Sequence, residues 1–286
     1  MVENVKALVL FSGGLDSLLA VRVLEKQGIK VYTVCFYSNF FDGESVKKTA
    51  EANDMEVTHM VDISQELLDL VKDPEAKKGK NLNPCIDCHG LMVEKAKEIL
   101  SSQGYDLLAT GEVLGQRPFS QTKEAMKEVE KKGDIEILRP LSAQELEPTS
   151  MEKEGMVDRE KLLNIQGRGR KKQIYWAVYY NVKNYKSPAG GCLLTEAGFS
   201  RKISLMLKFF PEVDVEDIEL PSISSTFDFL SIGVTNDVNN EFLTDFSSLL
   251  DGEFIEGPIS DTVVSTRLND GEITSFTELE GFTSGK

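Results

Sequence analysis

The amino-acid sequence predicts an α/β fold whose main body is a doubly wound parallel sheet. Residues 5–11 (VKALVLF) form a nearly continuous apolar run, as expected of a parallel strand buried on both faces. Strand-like and helix-like segments then alternate along the chain, which is the order of a parallel sheet with right-handed crossovers. A Ser-Gly-Gly turn joins the first strand to the first helix.

The individual elements follow from periodicity and from the positions of glycine. Apolar residues at helical spacing predict a first helix over residues 15–27, which Gly28 ends. Further strands are predicted at residues 30–37, 56–62, 105–110 and 135–138, and further helices at residues 43–53, 64–72 and 90–102. A polar, lysine-rich loop is predicted at residues 73–83, and residues 151–202 have a mostly helical pattern.

The composition changes near residue 210, and we therefore expect two domains. Residues 211–286 contain seventeen Asp and Glu against two Lys and Arg, and their apolar and polar residues alternate. A small acidic α+β domain of unknown role is expected there. Residues 1–210 hold the remaining 30 acidic and 30 basic residues, so the larger domain is neutral. The formal net charge of -15 therefore does not exclude a nucleic-acid substrate for that domain.

Localisation and the general use of cysteine can be predicted together. No apolar run approaches the ~18 residues that a membrane-spanning helix requires. The first residues also lack the pattern of a signal peptide. We expect a cytoplasmic protein with no membrane partner. In that reducing compartment the four cysteines are not expected to form disulfides.

The turn after the first strand has the composition of a phosphate-binding loop. Gly13 and Gly14 let the backbone approach an anion, and the following helix N-terminus supplies free N–H groups. The hydroxyls of Ser12 and Ser17 can add hydrogen bonds, and a carboxylate at Asp16 suits a Mg²⁺ ion beside phosphates. The turn matches neither a Walker A sequence nor a dinucleotide-binding turn. The alternative is a capped strand-to-helix turn without a ligand.

Three cysteines are candidates for sulfur or metal chemistry. Cys85 and Cys88 form a C-x-x-C pair in the loop before a predicted helix, and Cys192 follows two glycines. Together they could hold a [4Fe–4S] cluster with one iron open to sulfide. They could instead carry a persulfide, with Cys192 as the resolving thiol. The third interpretation is a zinc site completed by His89, or unliganded thiols, while Cys35 is expected in the core.

These motifs resemble those of a known superfamily. Residues 12–17 (SGGLDS) resemble the signature of the PP-loop ATP pyrophosphatases, which cleave ATP between the α and β phosphates and adenylate an oxygen. Residues 83–88 (NPCIDC), residues 109–111 (ATG) and the late Gly-Cys pair are similar to those of tRNA thiouridylase-like sulfur transferases. One departure is Glu112, where the 2-thiouridylases usually have His. Their large C-terminal tRNA-binding β-domain is also not evident.

The resemblance implies both a fold and a set of site residues. The fold is that of the adenine nucleotide alpha hydrolase-like PP-loop proteins. ATP is expected at residues 12–17 and Gly111, with Mg²⁺ at Asp16. Catalytic roles are implied for Asp16 and for the three cysteines, which would also be the ligands of an iron–sulfur cluster.

Two arginines are candidates for contact with ATP. Arg117 and Arg139 both follow predicted strands, and a guanidinium at such a position can clamp phosphates or stabilise an adenylated intermediate. A surface salt bridge is the alternative for each of them. His89 directly follows Cys88 and is a candidate for a group that supports this cysteine.

A basic and aromatic segment is the candidate for nucleic-acid contact. Its basic residues are Arg168, Arg170, Lys171 and Lys172, and its aromatic residues are Tyr175, Trp176, Tyr179 and Tyr180. Basic charge interleaved with aromatic rings suits phosphate contact and base stacking. The alternative is an amphipathic helix that buries Trp176 and Tyr180 and leaves its charged face in water.

The sequence therefore predicts ATP-dependent sulfur transfer to tRNA. ATP would adenylate a nucleobase carbonyl, and cluster-bound sulfide or a cysteine persulfide would attack the activated carbon. The implied partners are tRNA and a sulfur donor, which supplies sulfide or a persulfide. Two alternatives stay open at this stage. One is a PP-loop sulfur transferase or amide ligase that acts on a small molecule, and the other is a non-catalytic nucleotide- and metal-binding module.

Overall fold

The computed structural model describes residues 4–185, 191–209 and 211–218. The chain divides into two units, Met1–Glu196 and Ala197–Lys286. The expected boundary at residue 210 falls inside the second of these units. Most of the expected α+β domain, residues 219–286, lies outside the described residues. Among the described helices, none combines the length and apolar character needed to cross a membrane.

The first unit is built on a four-stranded parallel sheet. Its strands are β1 (Lys6–Leu10), β2 (Lys30–Tyr37), β3 (His59–Asp62) and β4 (Leu107–Thr110). Their order in the sheet is β3-β2-β1-β4, and every neighbouring pair is parallel. The chain thus adds two strands on one side of β1 and then crosses to its other side. This arrangement confirms the predicted α/β doubly wound parallel sheet.

Helices connect and flank the strands. In the first unit they are α1 (Leu15–Glu25), α2 (Glu44–Glu51), α3 (Ser64–Lys72), α4 (Cys85–Gln103), α5 (Lys123–Gly133), α6 (Ser150–Lys153) and α7 (Lys171–Tyr179). In the second unit the described elements are α8 (Ala197–Phe209) and a short 3₁₀ turn, Glu216–Ile218. Further 3₁₀ turns lie at Ala143–Glu145, Arg159–Lys161 and Leu193–Thr195.

The core sits around β1 and α1, because most of the buried residues of both elements are apolar. Ala7, Leu8 and Val9 of β1 are fully buried. Eight of the eleven residues of α1 are also buried. Beyond α1 the chain turns at Gly28, whose φ of 82° lies in the left-handed region that glycine adopts at little cost. The predicted strand 30–37 and the predicted helix 64–72 match β2 and α3 at both ends.

The predicted strand at residues 135–138 is wrong. Only Leu138 pairs with the sheet, through a single parallel bridge to Ala109 of β4. The N–H groups of Ile135 and Ile137 instead donate to Glu130, to its carbonyl oxygen at 3.2 Å and to its Oε1 at 3.4 Å. These residues therefore close the C-terminus of α5 and cannot extend a strand ladder.

Two other predicted segments need correction. The C-x-x-C pair does not lie in a loop, because α4 begins at Cys85 and includes Cys88. The N–H of Cys88 donates to the carbonyl of Pro84 at 2.8 Å, which closes the first turn five residues earlier than residue 90. Residues 151–202 are also less helical than their pattern indicates, since a non-helical stretch separates α6 from α7 apart from one 3₁₀ turn.

A buried asparagine fastens the chain beyond α7 to the sheet body. The side-chain Nδ2 of Asn53, 3% exposed, donates to the carbonyl of Lys183 at 2.6 Å and to that of Thr49 at 2.9 Å. Its Oδ1 accepts from the N–H of Lys183 at 2.7 Å. The Asn53 amide thus pairs with both backbone groups of Lys183, as a neighbouring strand would. It ties the chain after α7 to the turn after α2.

Replacing Asn53 by Ala is expected to lower the free energy of unfolding by about 2–4 kcal/mol, because three hydrogen bonds are lost and backbone groups of Lys183 lose their partners. Urea denaturation of the full chain measures this change. The exposed neighbour Glu51, changed to Ala, is the control and should shift stability by no more than about 0.5 kcal/mol. Equal effects of the two substitutions would contradict the role assigned to Asn53.

Candidate active site

The candidate site lies where the sheet changes its winding direction. β1 and β4 are parallel neighbours, so their carboxyl ends meet at one edge of the sheet. The chain leaves β1 into residues 12–14 and leaves β4 into Gly111. In open α/β sheets, ligands bind beyond the carboxyl ends of the strands at such a switch point. The phosphate-loop residues and Gly111 therefore lie next to each other at the same edge of the sheet.

The loop between β1 and α1 has the backbone of an anion cradle. Gly13 adopts a φ of 68°. Gly14 is the N-cap residue of α1, and no side chain forms a capping hydrogen bond there. The Oγ of Ser17 donates to the carbonyl of Gly14 at 2.9 Å, while the Oγ of Ser12 lies 3.5 Å from the Oγ of Ser17. The first N–H groups of a helix have no partner within the helix. Because no side chain caps this one, its N-terminus is free to bind an anion.

Gly111 is held directly against the start of α1. A Cβ atom at this position would lie 2.6 Å from the backbone carbonyl of Asp16 and from the N–H nitrogen of Ser17. Such a distance is too short for a Cβ atom and a heavy atom that is not bonded to it, and the obstacle is backbone. Glycine is therefore required for β4 to deliver the chain beside the phosphate loop.

A Gly111→Ala substitution is expected to reduce the free energy of unfolding by about 1–3 kcal/mol, because the added methyl must push α1 away from β4. Thermal or urea unfolding tests this. Gly198→Ala serves as the control, since a Cβ there meets nothing within 4 Å. A Gly111→Ala protein as stable as the wild type would contradict the close approach.

Asp16 points one carboxylate oxygen into the protein and leaves the other without a partner. Its Oδ2 accepts a hydrogen bond of 2.8 Å from Nε2 of Gln116. Its Oδ1 is buried and has no hydrogen-bond partner among the described residues. Burial raises the pKa of Asp16, while the Gln116 hydrogen bond and the charges of Arg170 and Arg117 act in the opposite direction. An unpaired carboxylate oxygen beside an anion cradle fits a Mg²⁺ ligand.

Arg117 is exposed and lies within electrostatic range of both predicted centres. Its positive charge lowers the pKa of Asp16, and it also lowers that of Cys192. Asp16 of the phosphate loop and Cys192 therefore both lie within electrostatic range of one side chain. The turn that carries it is fixed, because the N–H of Arg117 donates to Oε1 of Gln121 at 3.0 Å.

Arg139 is placed differently from Arg117. It is 4% exposed, and its Nε donates to Glu112 at 3.1 Å while Nη1 pairs with Glu130 at 2.5 Å. Its Nη2 donates to the carbonyl of Met126 at 3.3 Å. These contacts disfavour the predicted clamp on ATP phosphates, since the guanidinium is buried and already bound. The surface salt bridge considered as the alternative does not fit either, because this arginine is inside the fold.

Glu112, the residue that departs from the family pattern, is the acceptor at the centre of this network. Besides Arg139, its carboxylate faces Nδ1 of His89 at 3.4 Å and Oγ1 of Thr110 at 3.2 Å. Burial raises the pKa of Glu112, but His89 and Arg139 outweigh that effect and bring it to about 2. The network joins the end of β4 to the first turns of α4, which carry the cysteine pair.

The ionised form of Glu112 should stabilise the fold at neutral pH. Because its pKa in the folded protein is about 2, against an ordinary value of 4.5, this contribution is present above pH 4.5 and is lost as the pH falls toward 2. Glu112→Gln is expected to lower the free energy of unfolding by on the order of 3 kcal/mol at pH 7. Between pH 4.5 and pH 2, this variant should lose less stability than the wild type. Urea unfolding between pH 2 and pH 7 measures both, with the exposed Glu147→Gln as the control. A Glu112→Gln variant that loses as much stability between pH 4.5 and pH 2 as the wild type would contradict the network.

The structure brings the three predicted cysteines into electrostatic range of one another. Burial raises the pKa of Cys88 strongly, and the neighbouring Cys192 and Cys85 raise it further. Burial likewise raises the pKa of Cys192 to about 11, with a further contribution from Cys85. Both Cys85 and Cys192 have a hydrogen-bond donor on the sulfur, since Nδ2 of Asn83 lies 3.1 Å from Sγ of Cys85 and the backbone N–H of Leu194 lowers the pKa of Cys192. Cys35 is fully buried in β2, as expected.

Two contacts hold the segment of Cys192 in place. The N–H of Leu193 donates to the carbonyl of Phe40 at 3.0 Å. The Nδ2 of Asn81 donates to the carbonyl of Thr195 at 2.7 Å. Residues 186–190 lie outside the described ranges. Within the described ranges, no three His, Cys, Asp or Glu side chains are placed to hold a metal ion.

Helix α7 combines both interpretations of the basic and aromatic segment. Trp176 packs against the core and stacks on Tyr180 with ring centroids 5.6 Å apart. Tyr175 and Tyr179 point outward, with 64% and 58% of their surface exposed, as do Ile174 and Val178. The side chains of Arg168, Lys171 and Lys172 are also exposed, and Arg170 caps the helix. The outer face of α7 is thus an apolar and aromatic surface beside basic residues.

Two glutamines that the sequence did not single out belong to the site. Gln116 binds Asp16, and the fully buried Gln173 of α7 donates to Oε1 of Gln116 at 2.9 Å. Gln116 could have been recognised from the sequence by its position, because it lies next to Arg117 in the turn after β4. Nothing in the local sequence distinguishes Gln173 from a solvated helix residue.

Known proteins were compared with the chain. A family model described as thiamine biosynthesis protein (ThiI) matches residues 3–158. A probable tRNA sulfurtransferase of Finegoldia magna is 32% identical over 142 residues, which is 48% of this chain and 36% of the relative. A protein of the same name from Thermococcus kodakarensis is 30% identical over 54% of this chain and 39% of the relative. The tRNA-specific 2-thiouridylase MnmA of Petrotoga mobilis is 29% identical over 40% of this chain and 36% of the relative.

Two solved structures also match. One is a predicted subunit of tRNA methyltransferase from Methanocaldococcus jannaschii, with 20% identity, a TM-score of 0.39 and coverage of 61% of this chain and 76% of that protein. The other is a 4-thiouridine synthetase in complex with RNA and ATP, with 20% identity, a TM-score of 0.40 and coverage of 62% and 51%. The chain spans about two fifths or less of the length of the curated relatives named here. Since the family model matches more than half of its 286 residues, the chain belongs to the ThiI family.

Proposed function

We propose that this protein transfers sulfur to tRNA at the expense of ATP. ATP would adenylate a nucleobase carbonyl oxygen, and sulfur carried by the cysteines would displace AMP. The relatives named as tRNA sulfurtransferases support tRNA as the acceptor. The exposed aromatic face of α7 beside Arg168, Lys171 and Lys172 supports contact with unpaired bases and phosphates. A cytoplasmic location suits this chemistry, because thiols stay reduced there.

One observation carries the proposal: Arg117 acts electrostatically on both Asp16 and Cys192. An adenylating sulfur transferase must bring the α-phosphate of ATP and a sulfur nucleophile to the same carbon. A phosphate cradle far from the cysteines could not do this. The shared influence of Arg117 supports a common site for the two centres, where this cation would offset the charge that develops as the phosphates separate.

The first step makes one bond and breaks another. The carbonyl oxygen of the base attacks the α-phosphorus, and pyrophosphate leaves with the electrons of the α–β bond. The backbone of residues 13–17 would cradle the released phosphates, and Arg117 would face the α-phosphate. Asp16 would hold Mg²⁺ through its unpaired Oδ1, and the ion would neutralise charge on the phosphate oxygens.

The second step replaces the activated oxygen by sulfur. The terminal sulfur of a persulfide on one cysteine attacks the adenylated carbon, and AMP leaves with the oxygen. A second cysteine then attacks the inner sulfur, which releases the thiolated base and leaves a disulfide between the two cysteines. A thiol reductant restores the dithiol. Cys85, which accepts a hydrogen bond from Asn83, suits the carrier role, and Cys192 suits the resolving role.

We place a persulfide ahead of cluster-bound sulfide or zinc, because no three His, Cys, Asp or Glu side chains come together to hold a metal ion among the described residues. Anaerobic purification of the full chain distinguishes these forms. A persulfide carrier predicts sulfur that thiol reductants release, with neither iron nor zinc in stoichiometric amount. Stoichiometric iron with labile sulfide and absorbance near ~400 nm would replace the persulfide with a cluster. Stoichiometric zinc without iron would exclude both.

The proposed reaction is tested with purified protein, Mg²⁺, ATP, a persulfide donor and tRNA that lacks thionucleosides. Pyrophosphate release should depend on tRNA, and nucleoside mass spectrometry should detect a new thionucleoside. Asp16→Asn should reduce both by about 10²-fold or more, because the metal ligand is lost. Cys85→Ser and Cys192→Ser should abolish the thionucleoside while leaving pyrophosphate release largely intact.

Cys35→Ala is the matched control, since this cysteine lies in the core of β2 and should leave thiolation unchanged. Pyrophosphate release that needs no tRNA, without any thionucleoside, would contradict tRNA as the acceptor and favour a small molecule. ATP binding without any cleavage under all these conditions would contradict an enzyme and favour a binding module.

A further inference from the structure

Two glutamine side chains form a continuous chain of hydrogen bonds from helix α7 to the phosphate loop. The Nε2 of Gln173 donates to Oε1 of Gln116 at 2.9 Å, and the Nε2 of Gln116 donates to Oδ2 of Asp16 at 2.8 Å. An ionised carboxylate only accepts hydrogen bonds, so Asp16 fixes the direction of both amides. We call this arrangement the amide chain.

The amide chain lies on the inner side of α7. Gln173 and Ala177 are the buried residues of that helix, and Gln173 is 0% exposed. The only oxygen of this side chain is left without a hydrogen bond, since its buried Oε1 has no partner among the described residues. A buried polar atom without a partner costs free energy. An apolar residue would avoid that cost, so a glutamine at this position indicates a use for its donor group.

Helix α7 is also linked to Asp16 by its packing on α1 and by the charge of Arg170. It packs against α1, the helix that begins at the phosphate loop. The charge of Arg170, the residue that caps α7, lowers the pKa of Asp16. A displacement of α7 would therefore change both the hydrogen bond to Asp16 and the charge that faces it.

The two faces of α7 consequently have different environments. The inner face holds the amide chain, while the outer face presents Tyr175 and Tyr179 to solvent. Under the proposed function, the outer face is where unpaired bases of the acceptor would stack. A single helix of nine residues carries both faces, so the surface that would meet the acceptor and the amide chain lie on the same element.

We propose that Gln116 and Gln173 are positioning residues that orient Asp16 and couple the outer face of α7 to the ATP site. Holding Oδ2 in the amide chain leaves Oδ1 available, and this oxygen would bind Mg²⁺. Acceptor bound on α7 fixes Gln173, which fixes Gln116 and thereby Asp16. ATP is then cleaved efficiently only when an acceptor is present. This inference rests on the proposed function for its acceptor, whereas the link between Asp16 and α7 can be measured without one.

The first test uses the only tryptophan of the chain, Trp176, which lies on α7 and reports its environment. Adding ATP with Mg²⁺ to the full protein should change the tryptophan emission, and the change should require the metal. Gln116→Met and Gln173→Met keep side-chain length but remove the donor. Both variants should bind ATP, measured by calorimetry, yet need several-fold more Mg²⁺ and show no change in emission.

The second test measures tRNA-dependent pyrophosphate release. Each single variant should lower kcat about tenfold and leave KM for tRNA within about twofold, because the lost contact acts on Asp16 and not on RNA. The double variant should be no worse than either single variant, since both substitutions break the same chain. Gln166→Met, at an exposed glutamine outside the chain, is the matched control and should behave as the wild type.

The possible outcomes separate the two proposals. Losses that multiply in the double variant would overturn the amide chain, because two independent structural defects give that result. Wild-type protein that binds ATP and Mg²⁺ without any change in Trp176 emission would also overturn it. A wild type with the emission change but no tRNA-dependent cleavage would contradict the proposed function and retain the link between Asp16 and α7.

Discussion

The rest of the site depends on the close approach between the end of β4 and the start of α1. Gly111 lies so near the backbone of Asp16 and Ser17 that no side chain fits between them. This contact places the turn after β4, with Gln116 and Arg117, beside the phosphate loop after β1. Since β1 and β4 are neighbours at the switch point, the approach also closes one side of the region where the fold binds ligands.

Buried charge organises the neighbouring cysteine region. Glu112 follows Gly111 directly and accepts from Arg139, which is itself enclosed by the C-terminal part of α5. On its other side Glu112 faces His89 in the first turns of α4. Breaking such a network by removing one partner leaves a buried charge uncompensated, which is costly. The same short segment after β4 therefore positions the phosphate loop and anchors the helix that carries Cys85 and Cys88.

Much of this arrangement could be predicted from local patterns. The apolar run of β1, the glycines of the phosphate loop and the Ala-Thr-Gly that ends β4 each have a direct physical meaning, and the sheet follows from them. The fifth strand failed because Glu130 captures the N–H groups of Ile135 and Ile137, a competition that strand periodicity does not register. The role of Arg139 was equally hidden, since nothing local shows whether an arginine after a strand faces solvent or a buried carboxylate. The glutamines of the amide chain are 57 residues apart, and only the packing of α7 on α1 brings them together.

A crystal structure with α,β-methylene-ATP and Mg²⁺ would test the central claim most directly, because that nucleotide cannot be cleaved between its α and β phosphates. The account predicts that the β and γ phosphates lie on the N–H groups at the start of α1, that Mg²⁺ contacts Oδ1 of Asp16, and that the α-phosphorus faces Arg117 and the cysteines. A nucleotide bound away from the carboxyl ends of β1 and β4, or with its α-phosphate turned away from Cys85 and Cys192, would contradict it.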